Sequence, residues 1–244
     1  STQYVLFSNT GYLVPSSALQ INNQNLHGVS LVPDMVIITH EAVKGKAQEY
    51  ADYRSHTGLT YLLVTPEEIY NEFSSGGQDI SAIRDFLKML YDRSPEGLKY
   101  AVLFGGASYD YKDVIENNTN NVPIYQSRES LHNIQTYSSD DYYGFLSDGD
   151  GEWAETSAGN HQMVISIGRI LARTNEEAET LVNKIIHYET SSDAVGEWRS
   201  YLALMADDGD GNLHVNDANK LSDIIDEKYP YVKVDKLYLD DYEQ

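Results

Sequence analysis

The stretch Asp34-Met35-Val36-Ile37-Ile38-Thr39 decides the fold. From Met35 onward it is apolar and β-branched without alternation, the pattern of a strand buried on both faces inside a parallel sheet. Downstream, Val43, Ala47, Tyr50, Ala51 and Arg54 recur at helical spacing, and Gly58 stops that helix. Tyr61-Leu62-Leu63-Val64 is a second strand, and Pro66 opens a short helix over 66–73. Asp79 or Ser81 caps the next helix, whose apolar stripe is Ile80, Ile83, Phe86, Leu87 and Leu90. Residues 100–104 form a third strand that ends at Gly105-Gly106, and 142–146 and 163–170 read as further strands.

Thr174-Asn175-Glu176-Glu177 has capping-box form and starts a helix with Ala178, Leu181, Val182, Ile185 and Ile186 on one face. A strand at 201–206, a helix carrying Val215, Ala218, Leu221, Ile224 and Ile225, and an alternating strand at 232–239 complete the series. Strands alternating with helices specify an α/β fold, a mostly parallel sheet with helices on both faces. Upstream, residues 1–33 are rich in Asn, Ser and Gly around one apolar run at 4–7, and read as a strand and loop segment ending a preceding region. The α/β domain is expected over 34–244.

Composition narrows the function classes. The 244 residues carry 17 Lys and Arg against 38 Asp and Glu, a net charge of −21. The acids are dispersed, so they describe a self-repelling surface, and the scarcity of bases excludes a nucleic-acid-binding role. No run approaches the roughly 20 apolar residues of a membrane span. Residues 1–30 have neither a basic start nor an apolar stretch, so no signal peptide is expected within them. The absence of cysteine excludes disulfides, thiolate metal sites and a cysteine nucleophile within these residues.

Right-handed crossovers would place the strand C-termini along one edge, with Thr39-His40, Thr65, Gly105-Gly106 and Ala206-Asp207-Asp208. Gly105-Gly106-Ala107-Ser108 is neither a dinucleotide fingerprint, a P-loop nor a nucleophile elbow, and reads as a tight turn. The polar stretch 107–141 is too long for a routine crossover, and is either a linker or a surface built beside the sheet. Two acidic turns, Asp148-Gly149-Asp150-Gly151-Glu152 and Asp207-Asp208-Gly209-Asp210-Gly211-Asn212, could offer hard oxygens to calcium. Asp148, Asp150 and Glu152 are the candidate ligands, set against the plainer reading of a solvated turn. Neither turn completes an EF-hand loop. The seven histidines form no metal-binding helix pair; His40 and His214 stand beside strand ends, and His187 lies near the end of a helix.

Several segments, taken in order, resemble the gingipain family of caspase-like cysteine peptidases. They are Asn23-Gln24-Asn25-Leu26-His27-Gly28, residues 33–39, residues 103–110, Ser139-Asp140-Asp141-Tyr142-Tyr143-Gly144, Ile167-Gly168-Arg169, Glu176-Glu177-Ala178, residues 185–189, Trp198-Arg199, residues 206–210 with Leu213-His214, and residues 236–240. The likeness is greatest to the branch that removes C-terminal sorting signals at the cell surface in type IX secretion. That resemblance implies a catalytic domain of two subdomains with a His–Cys dyad in the second. The histidine belongs to a Gly-His-Gly turn and the cysteine ends a later strand. Neither motif occurs here, so the expectation is a gingipain-like domain truncated after its first subdomain and unable alone to hydrolyse peptides.

The resemblance further implies that Asp207 or Asp208 orients the absent histidine. His214 stands near the place where arginine-specific members hold an acid that recognises a basic side chain. Asp140 and Asp141 either shape the same rim or start a strand. No cofactor is implied, calcium being the candidate ion. The implied partners are a protein or peptide substrate and secretion-system proteins, with a homodimer through the truncated sheet edge. The implied location is the outer surface of a Gram-negative bacterium. The rival reading is a non-catalytic α/β module that binds peptide or a secretion partner. A phospho-acceptor domain fits less well, because the first strand ends in Thr39-His40 rather than an acid.

Overall fold

The computed structural model describes Gly11, Pro15 and residues 17–129, 131–133, 136–150, 161–207 and 209–242. Contacts divide the chain into two units, 1–178 and 179–244. The division falls inside a helix, at a place the sequence does not mark.

In the first unit, β1 (Met35–Thr39), β2 (Tyr61–Val64), β3 (Tyr100–Phe104) and β6 (Ser166–Ile170) form a parallel sheet in the order β2-β1-β3-β6. Ile37 sits opposite Leu63 on one side and Val102 on the other, and Val102 opposite Gly168. All of β1 is buried, as its unalternating run requires. Helix α1 (Lys44–His56) covers one face, where Tyr50 meets Phe104 with ring centroids 6.3 Å apart. Helices α2 (Pro66–Phe73) and α3 (Ile80–Arg93) cover the other, packing Ile69, Ile83, Phe86, Leu87 and Leu90 against Val36, Ile38 and Leu103.

Local chemistry sets the helix starts. At α2 the Thr65 hydroxyl accepts from Glu68 N–H and the Glu68 carboxylate accepts from Thr65 N–H, a complete capping box ahead of Pro66. Asp79, not Ser81, caps α3 by accepting from Ser81 N–H at 2.8 Å. The segment 24–29 is fastened to these helices. Glu72 accepts from the N–H groups of Leu26 and His27, from Gln24 and from the His27 ring, which also stacks on Phe73 at 4.4 Å. Desolvation alone would raise the Glu72 pKa, but these donors outweigh it and bring the carboxyl to about 2.

The strand expected at 142–146 is a 3-10 turn over Asp141–Gly144. Tyr142, Tyr143, Phe145 and Leu146 are all buried, which an alternating strand on one sheet face does not allow. A Cβ on Gly144 would stand 3.3 Å from the Ile165 carbonyl, a tight contact that glycine avoids where the turn lies against the chain entering β6. Tyr143 donates to Pro123 O at 2.7 Å and buried Arg84 to Phe145 O at 2.8 Å, pinning the turn. Tertiary packing thus overrides strand propensity here. The expected strand over 163–170 is confined to Ser166–Ile170, and Val164 N–H donates instead to Gly144 O at 3.0 Å.

Helix α4 (Asn175–Thr190) begins in the first unit and continues into the second. The second unit then holds β7 (Tyr201–Ala206), α5 (Gly209–Lys228) and β8 (Lys233–Tyr238). β7 and β8 are parallel, with Met205 opposite Leu237. Asn219 of α5 accepts from Lys236 and Tyr238, fixing the helix to the face that carries Val234 and Tyr238.

Candidate functional site

The C-terminal ends of β3 and β6 open onto a cavity of 460 Å³. Its floor is the turn after β3 and its wall is a small antiparallel pair, β4 (Tyr125–Gln126) with β5 (Ser138–Ser139). The polar stretch that follows β3 is therefore a built surface over its described residues. Asp110 accepts from Ile115 N–H at 2.6 Å, Asn118 donates to Asp110 O at 2.6 Å, and Asn120 accepts from Ser108 N–H at 3.2 Å. The Gly105-Gly106 pair permits close approach. A Cβ on Gly105 would lie 2.9 Å from Val122, and one on Gly106 2.9 Å from Arg173. A second cavity, of 390 Å³, lies against the sheet face beside Tyr50 and Gly168, away from the strand ends where α/β sheets bind ligands.

Arg169 locks this edge together. Its Nε and Nη2 donate to the two oxygens of Asp140 at 2.8 and 2.7 Å. Nη1 donates to Gly105 O and Val122 O, and Nη2 also to Pro123 O at 3.2 Å. All five guanidinium protons are thereby used on three separate pieces of chain. The sequence reading missed this role, although an arginine in a strand of a covered sheet is itself a signal, since such a charge requires a partner.

The residues singled out in the sequence that fall among the described ones have definite surroundings. Asp140 is the counter-ion of Arg169, while Asp141 is exposed in the first turn of the 3-10 segment. Asp148 pairs with Lys88 at 2.9 Å; the ammonium lowers the carboxyl pKa, and Asp148 with Asp92 raises that of Lys88. Asp150 accepts from Ser147 N–H and faces His161 at 3.1 Å. Glu152 lies outside the described residues. Asp148 and Asp150 thus engage different partners, and among the described residues no three His, Asp or Glu side chains converge as a metal site.

In the second unit, Asp207 follows directly on the C-terminal end of β7, and Asp208 lies outside the described residues. Asp210, Gly211 and Asn212 then take left-handed conformations, with φ of 52°, 67° and 63°. Such values are strained for the two non-glycine residues, whose short polar side chains tolerate them best. His214 stands 3.6 Å from Asp210, both exposed.

A parallel sheet with helices on both faces and a loop-built cavity at its C-terminal edge defines a doubly wound α/β domain. The profile of peptidase family C25 matches residues 29–244, and the chain belongs to that family. Among curated relatives, gingipain R2 of Porphyromonas gingivalis is 22% identical over 210 residues, covering 84% of this chain and 24% of its own. Gingipain R1 of the same organism is likewise 22% identical over 84% of this chain and 18% of its own. The chain therefore spans about a quarter or less of the length of these relatives.

Among solved structures, dimeric latent PorU from Porphyromonas gingivalis superposes with a TM-score of 0.61 at 34% identity, over 73% of this chain and 17% of that one. The Arg-specific cysteine proteinase gingipain R superposes with a TM-score of 0.60 at 20% identity, over 85% of this chain and 41% of that one, a likeness of fold.

Proposed function

We propose that this chain is the N-terminal part of the catalytic region of a gingipain-like cysteine endopeptidase that removes C-terminal sorting signals from secreted proteins at the cell surface. The observation that carries this reading is the match to peptidase family C25 across 29–244, in a chain that has no cysteine and spans a small share of its relatives. The nucleophile and its histidine then come from outside these 244 residues. The thiolate attacks the scissile carbonyl, the histidine protonates the departing amine, and water releases the acyl group. Asp207 or Asp208 accepts a hydrogen bond from the imidazole and holds its orientation, the role of the third member of a triad. His214, in place of an acid beside that loop, supports a specificity other than arginine. The likeness to PorU supports the sorting-signal branch.

The test is to assay the parent protein on a reporter ending in a sorting signal, before and after alkylation with iodoacetamide. Cleavage that alkylation abolishes is the expected result, with these 244 residues alone inactive. Cleavage that survives alkylation overturns the cysteine mechanism. A parent lacking a Gly-His-Gly turn or a strand-end cysteine after Gln244 would instead favour a peptide-binding module.

A further inference from the structure

We propose that the 460 Å³ cavity beyond β3 and β6 is a subsite that takes an uncharged apolar side chain of an extended peptide. The inference rests on the reading of the chain as part of a peptidase, and concerns what the first unit contributes to substrate choice. Position is the first argument, because crevices at the carboxyl ends of parallel strands are where α/β sheets bind ligands.

The second argument is that the charged group and several of the polar side chains lining the cavity are already engaged within the protein. The Gln126 amide donates to Ser108 O and Tyr109 O, both at 3.1 Å. The Ser108 hydroxyl accepts from Asp110 N–H, and that of Ser127 accepts from Tyr137 N–H while donating to Glu129 O. The Thr136 hydroxyl is held by His132 O and Glu129 O. The guanidinium of Arg169, the single charged group of the lining, spends every donor on Asp140 and three carbonyls.

An acidic side chain entering the cavity finds no free donor on Arg169, and a basic one finds no carboxylate in the lining. Either would lose its hydration without a counter-ion. The surfaces left to make contact are mainly apolar: Ile124, with Tyr109 77% and Leu171 65% exposed at the mouth, beside the hydroxyl of Ser138. Covering them removes apolar area from water, which is the driving force the cavity offers.

The experiment is a methyl NMR titration of the 244-residue chain, labelled at Ile, Leu and Ala, with capped pentapeptides that differ only in a central Leu, Lys or Glu. The Leu peptide should shift the Ile124, Leu171 and Ala107 methyls saturably, and bind ~10–200-fold more tightly than the Lys or Glu peptide. In the Leu171→Ser and Tyr109→Ser variants, which alter exposed side chains, that preference should fall by about ten-fold while the core methyl spectrum stays unchanged. Absence of shifts at Ile124 and Leu171, or equal binding of the three peptides there, overturns the subsite. The outcome is independent of the peptidase reading: a parent that cleaves its reporter while these methyls stay silent keeps the reading and loses the subsite. A parent that cleaves nothing loses the reading, while the titration still decides the subsite.

Discussion

β1 and β7 are parallel strands of similar apolar content, yet they live in different surroundings. Every residue of β1 is buried, whereas Met205 of β7 is 75% exposed and Tyr201 and Leu202 are exposed as well. β1 has a strand on each side and helices on both faces; β7 pairs with β8, and α5 packs on the face that carries Val234 and Tyr238. The difference teaches that an apolar strand states a need for cover rather than supplying it. The first unit meets that need from its own elements. Within the second, Ala203, Met205 and Leu237 stay exposed on the opposite face, beside Lys233 and Asp235.

The sharpest way to break the comparison is at the ion pair that closes the first unit. Arg169→Met leaves Asp140 without its counter-ion and three carbonyls without a donor, and should destabilise the chain by about 3–5 kcal/mol in denaturant melts. A loss below 1 kcal/mol would mean that Arg169 does not close this edge. Ile37→Ala in β1 should cost about 2–5 kcal/mol, whereas Met205→Ala in β7 should change stability by no more than about 0.5 kcal/mol. Equal effects at the two positions would erase the contrast.

A smaller effect belongs to the segment fastened on α2. Because the folded pKa of Glu72 is lowered from 4.5 to about 2, its ionised form stabilises the fold. That contribution is full above pH 4.5 and is lost as pH falls through about 2. Glu72→Gln should remove this part of the acid sensitivity and about 1–3 kcal/mol of stability at neutral pH. A variant that melts like the unsubstituted chain both at neutral pH and near pH 3 would show that the fastening adds nothing.

The smallest expected signal is association through the open face of β7 and β8. Light scattering at rising concentration should show a dimer that Met205→Lys weakens. A monomer at every concentration would show that the face needs a partner other than a second copy.

Much of the fold was legible because its signals are local. The unalternating run at 35–39, the Pro66 start and the α3 stripe each state their own structure, and each formed as read. What the sequence hid depends on distant partners. The aromatic run at 142–146 has strand propensity, but Arg84, Pro123 and the close approach at Gly144 fold it into a 3-10 turn. The role of Asp140 could not be read without knowing that Arg169 faces it, 29 residues away along the chain. The glycine pair after β3 announced a tight turn, and the structure adds which side chains press against it. The acidic loop after β7 was legible as a candidate site, but the left-handed run from Asp210 to Asn212 was not, since of its three residues only Gly211 favours that geometry.

The central claim is that the acidic turn leaving β7 orients the histidine of a cysteine peptidase, and kcat/KM of the parent protein tests it most directly. With Asp207→Asn and Asp208→Asn made separately and melting temperatures held, one variant should lose about 10²–10⁴-fold in kcat/KM. Two variants that both retain wild-type kcat/KM would contradict the account.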